Sequence, residues 1–156
     1  MIKVSYYKTS KDKLPKAFCM LAEKCYHNNI SLFVFTNNEK SITELDKALW
    51  TYSKKQFIPH GTIHDPHPEK QPILLGEAFR NLNKATSMII VNASSGQVLD
   101  FLASAGKCER LFFIYDEDEI VPDEEIENIL STSGIGEFQF ESYVQEINGS
   151  WGVKNT

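Results

Sequence analysis

Three short runs in this chain of 156 residues, Ser31 to Thr36, Ser87 to Asn92 and Leu111 to Tyr115, are apolar at nearly every position. Strands read this way when both faces are buried, and a strand covered on both sides needs a helical layer on each. The chain is thereby restricted to a layered α/β fold. The intervening stretches supply the helices. Leu14, Phe18, Leu21, Ala22 and Cys25 recur at helical spacing behind a β-prone start at residues 2 to 7, with Pro15 near the first turn. Ile42, Leu45, Ala48 and Leu49 share one side of a second helix that Asn37 or Asn38 can cap. A third helix is expected from about Ser95 to Ala105, and a short acidic one from Pro122 to Leu130. The alternation predicts one domain, residues 1 to 156, on a largely parallel central sheet with helices on both faces.

Two regions interrupt the pattern. Thr51 to Pro72 holds four of the six prolines and three of the four histidines, so it reads as a long irregular connection with room for a short strand around Phe57. Ile73 to Leu75 then fits a short strand. Beyond Leu130, Ser131 to Gly136 reads as a loop, and Phe138 to Ile147 fits strand or helix.

The net charge of -5 opposes any role that depends on gripping phosphate backbones, so tight direct binding of nucleic acid is not expected. The charge is unevenly spread: Glu109 to Ile147 carries 12 acidic residues against the single Arg110. No apolar run approaches the ~20 residues of a membrane span, and the start lacks a signal-peptide pattern, so a cytoplasmic protein away from membranes is expected. Cys19, Cys25 and Cys108 have no C-x-x-C spacing and read as reduced, structural thiols.

Open α/β sheets bind ligands beyond the carboxyl ends of their strands, and the loops there carry no catalytic signature. Neither G-x-x-x-x-G-K nor G-x-G-x-x-G occurs. The best-placed loop is Asn92 to Gly96, between a strand and a helix N-terminus, where free N–H groups could hold a phosphorylated substrate or simply be capped. A small α/β enzyme using that loop is the alternative function. His60, His64 and His67 suggest zinc, but no cysteine in the loop completes a ligand set; no metal, cofactor or catalytic residue is assigned. The remaining features are aromatic. Trp50 ends a helix whose apolar side Ile42, Leu45 and Leu49 already supply, and Phe57 lies just beyond a polar stretch. Both rings could anchor an interface from one edge or pack into the core.

The run Leu45-Asp46-Lys47-Ala48-Leu49-Trp50, then six residues, then Phe57-Ile58-Pro59-His60, resembles the signature of the chi subunits of bacterial DNA polymerase III holoenzyme. Tyr6-Tyr7 ending the first strand, Leu32 to Phe35, Pro72-Ile73 and Ile89-Ile90-Val91-Asn92 agree with it, so the resemblance covers roughly residues 1 to 120 and leaves 131 to 156 as a divergent segment. It implies a single-domain, Rossmann-like three-layer fold and a non-catalytic accessory of the clamp loader. The implied partners are psi, or another clamp-loader component, and the C-terminal tail of single-stranded DNA-binding protein. Trp50 and Phe57 match the aromatics of the psi side, and Ile114 matches an apolar wall of the tail pocket. The family's basic tail contacts lie on a C-terminal helix, whereas Asp123 to Asn128 here is acidic. A tail of several carboxylates ending in an aromatic residue needs a basic rim, for which Lys107 and Arg110 are the nearest candidates in sequence.

Overall fold

The computed structural model describes residues 1–52, 57–104, 108–145 and 151–153. The elements are β1 (Ile2–Lys8), α1 (Leu14–His27), β2 (Leu32–Thr36), α2 (Glu39–Tyr52), β3 (Gly61–Thr62), β4 (Ile73–Gly76), β5 (Ser87–Val91), α3 (Ser95–Ser104), β6 (Arg110–Tyr115), α4 (Asp123–Thr132), β7 (Phe138–Gln145) and β8 (Trp151–Val153). The eight strands form one sheet in the order β3-β4-β2-β5-β6-β1-β7-β8. Every pairing is parallel except β7 with β8. This is the expected α/β architecture. No helix among the described residues is long and apolar enough to cross a membrane.

The order of strands explains the layers. From β1 the chain moves toward the β3 edge through α1 and α2, and from β5 it moves the opposite way through α3 and α4. Right-handed crossovers running in opposite directions place their helices on opposite faces. Phe18, Ala22, Ile42, Leu45 and Leu49 accordingly pack on Leu32, Val34, Ile89, Val91, Phe112 and Ile114. Val98, Phe101, Ile126 and Leu130 pack on Phe33, Phe35, Met88, Ile90, Leu111, Phe113 and Tyr115. The central strands show no alternation of polarity because both sides of each are covered. On the α3 side the β4–β5 connection has no helix, and Phe79 stands in for one, edge-on to Phe33 at 5.4 Å and to Phe101 at 4.7 Å.

Several boundaries differ from expectation. Phe57 is not in a strand; pairing starts at Gly61, after Pro59, which has no N–H to give a ladder. The acidic helix starts after Pro122, not at it, and continues to Thr132. The Ser131 and Thr132 hydroxyls, read as loop, bond back to Glu127 and Asn128 carbonyls at 2.9 and 3.1 Å. Residues 138 to 145 are strand rather than helix, paired with β1, and half-buried as an outer strand should be. Ala105, Glu146 and Ile147 lie outside the described residues. The three thiols are free, and burial pushes Cys19 up to about 12 and Cys108 to about 11, so neither is a thiolate at neutral pH.

Candidate functional site

At the switch-point crevice, where a small-molecule site would be sought, the polar groups around Asn92 are tied to one another. Asn92, at φ 53°, donates through Nδ2 to Asp116 Oδ2 and accepts the Asp116 N–H, both at 3.0 Å. At the start of α3 the Ser94 N–H donates to Gln97 Oε1 at 2.9 Å while the Gln97 N–H donates to Ser94 Oγ at 3.2 Å, a reciprocal cap. Ser95 Oγ then holds the Glu125 carboxylate at 2.7 Å. A phosphate arriving here would meet a capped helix end and two carboxylates. The three histidines do not converge either: His60 faces Asp46, His64 faces Glu77 at 2.6 Å, and His67 faces Glu69 at 3.5 Å. Elemental analysis of the purified protein is expected to find well under one zinc per chain; stoichiometric zinc surviving dialysis would contradict that expectation.

Trp50 and Phe57 form the first exposed surface. Asn38 caps α2, its Oδ1 accepting the Ser41 N–H at 2.9 Å. Ile42, Leu45 and Leu49 point into the core, and Trp50, one residue on and so rotated by about 100°, points out. Trp50 is 57% exposed and Phe57 53%, with ring centroids 4.8 Å apart at 34°. Of the two readings open at the sequence level, core packing is therefore excluded. Ile58, between them and Pro59, is buried and anchors the segment. His60 lies beneath, its ring edge-on to Trp50 at 5.2 Å.

The second surface is a groove on the α1 side of the sheet. Arg110 and Ile114, four residues apart on β6, line it with Tyr7 of β1, Met20, Leu21 and Lys24 of α1, and Tyr143 and Trp151 of β7 and β8. Its volume is about 370 Å³. Beyond Tyr7 it continues past Arg110 and Phe112 to Ile30. Tyr7 is its centre, stacked on Tyr143 at 5.0 Å and 13° and edge-on to Trp151 at 5.0 Å. Arg110 lies 4.6 Å over the Phe112 ring and donates to Ser5 Oγ at 3.2 Å. The Tyr143 hydroxyl donates to Glu141 at 2.6 Å, and that bond pushes the phenol up to about 12.

Ile114 is 0% exposed and lines the groove from the core side, as its apolar floor. Arg110 lines the groove. Lys107 lies outside the described residues. The anticipated clash with the acidic segment does not arise: Ile126 and Leu130 seat α4 on the opposite face of the sheet from Ile114. Several groove residues were not singled out from the sequence, among them Lys24, Tyr143 and Trp151. Lys24 follows the exposed Met20 by one helical turn, and an exposed Met beside a Lys was the available signal. Tyr143 and Trp151 come from the divergent segment, and only the register Tyr7 with Tyr143 brings them in.

The "Probable DNA polymerase III subunit chi" of Rickettsia prowazekii is 42% identical over 92 residues, which are 59% of this chain and 56% of that protein. The "DNA polymerase III subunit chi" of Pseudomonas aeruginosa is 31% identical over 58 residues, 37% of this chain and 39% of that one. The matches thus span about half or less of the length of these curated relatives. Residues 1–124 match the family described as DNA polymerase III chi subunit, HolC, and with most of its length matched the chain belongs to that family.

Proposed function

We propose that the protein is a non-catalytic adaptor of the DNA polymerase III assembly. It docks psi, or another clamp-loader component, on Trp50 and Phe57, and holds the acidic C-terminal tail of single-stranded DNA-binding protein in the groove around Tyr7. The observation that carries this reading is the groove's lining. In a chain of net charge -5, Lys24 and Arg110 flank an aromatic and aliphatic trough, beside which the Glu141 carboxylate is held by the Tyr143 hydroxyl. A trough for a terminal aromatic ring with two cations at its mouth fits a peptide of carboxylates ending in such a ring. The surfaces can be occupied together. Phe57 to His60 lead directly into β3, and Tyr7 belongs to β1, five strand spacings away, or about 24 Å.

A tail peptide titrated against the wild type and a Lys24→Glu, Arg110→Gln double variant tests the reading. The double variant is expected to bind about 30-fold more weakly, a loss of roughly 2 kcal/mol, and to show a flatter salt dependence. Equal affinity at every salt concentration would place the tail elsewhere. Bare single-stranded oligonucleotides are expected to bind weakly, since the net charge opposes counterion release. Tight, salt-steep binding of DNA alone would contradict an adaptor that reaches DNA only through its coating protein.

A further inference from the structure

Asp46 and Trp50 stand one turn apart on α2, while Phe57 and His60 belong to the segment entering β3. Ile58 pins that segment into the core beside Leu45 and Leu49. The His60 side chain is fully enclosed beneath both exposed rings, 5.2 Å from Trp50 and 6.1 Å from Phe57 between centroids. Its Nδ1 lies 2.7 Å from the Ile58 carbonyl, an oxygen that can only accept, so Nδ1 carries a hydrogen. Its Nε2 lies 3.0 Å from Asp46 Oδ1, obliquely, and meets no other polar partner among the described residues.

Packing alone does not call for this arrangement. An apolar side chain would fill the space without needing partners, whereas a buried imidazole costs stability unless both nitrogens are answered. What the imidazole adds is a polar contact between the two elements: Nε2 stands 3.0 Å from the Asp46 carboxylate, one turn before Trp50, and with both ring nitrogens protonated that contact is an ion pair joining the segment bearing Phe57 to the helix. The geometry points to Asp46 and His60 as positioning residues that hold the Trp50 and Phe57 rings in their paired, outward pose before any partner arrives. Rings ordered in the free protein lose less freedom on docking, which is how such a bridge would strengthen an interface without touching the partner. This role rests on the proposed reading of Trp50 and Phe57 as a docking pair, but the ordering can be measured with no partner present.

Time-resolved fluorescence anisotropy of the full chain carrying Trp151→Phe reports on Trp50 alone. In that background the fast, local part of the depolarisation is expected to be small. Asp46→Ala should raise its amplitude at least about twofold on the nanosecond scale while far-UV circular dichroism stays unchanged. Asp46→Asn, whose amide can donate to a bare Nε2 or accept from a protonated one, should return most of the order. An unchanged amplitude in Asp46→Ala, an Asp46→Asn variant no better ordered than Asp46→Ala, or loss of helical signal together with the new mobility would each overturn the assignment. If instead Trp50 is ordered by Asp46 but psi and clamp-loader proteins ignore the pair, the docking reading fails and the positioning role stands.

Discussion

Replacing Ile114 by glutamate is expected to lower the stability of the free protein by about 4 kcal/mol, or roughly 10 °C in unfolding midpoint for a chain of this size. The side chain is 0% exposed, packed between β6 and the α1 layer in the cluster that includes Phe18, Val91 and Phe112. A carboxylate there has no described cation to pair with, because the nearest groove cations, Lys24 and Arg110, sit at the rim. Ile114→Val, which keeps the floor apolar, should cost only about 1 kcal/mol and leave tail binding in place. Urea denaturation of both variants checks this. A wild-type midpoint for Ile114→Glu would show that the floor opens to water and would contradict its place in the core.

The double variant Trp50→Ala, Phe57→Ala is expected to lose about 3 kcal/mol of binding to psi or the clamp-loader component, a factor above a hundred in Kd. Each ring alone should account for about 2 kcal/mol, the double variant's loss falling short of the sum because the rings touch each other and each single change loosens the other. The stability of the free protein should hardly move, since both rings are more than half exposed and the helix is anchored by Ile42, Leu45 and Leu49. Calorimetric titration of the variants, paired with their unfolding midpoints, separates the two effects. Undiminished binding by the double variant would remove this surface from the interface.

The helical layers were readable from sequence because the residues that define them are local. The run Leu32 to Phe35 declares its two-sided burial within a few positions, and the spacing of Ile42, Leu45 and Leu49 leaves Trp50 off the buried side of its own helix. Phe57 was recognisable for a related reason, standing next to a polar stretch with a buried Ile58 behind it. The groove was not readable. Its residues come from α1, β1, β6, β7 and β8, and they meet only through pairings such as Tyr7 with Ile114 and Tyr7 with Tyr143, each spanning more than a hundred positions. The acidic run misled in the same way: sequence proximity to Ile114 suggested a charge conflict at the groove, but a right-handed crossover carries α4 to the other face. The partnership of Asp46 with His60 lay inside the motif that carried the resemblance, yet no spacing rule marks a helix residue and a loop residue as neighbours.

The proposed adaptor joins two partners through surfaces about five strands apart. Ternary assembly tests it most directly: single-stranded DNA coated with its binding protein is immobilised, this chain is added, and then the psi subunit or clamp-loader component. The coated DNA should retain the second partner only when this chain is present. That retention should be lost with Lys24→Glu, Arg110→Gln and equally with Trp50→Ala, Phe57→Ala, although each variant keeps the one partner whose surface is intact. Partners that displace one another from this chain, or a bridge that survives both pairs of substitutions, would contradict the account.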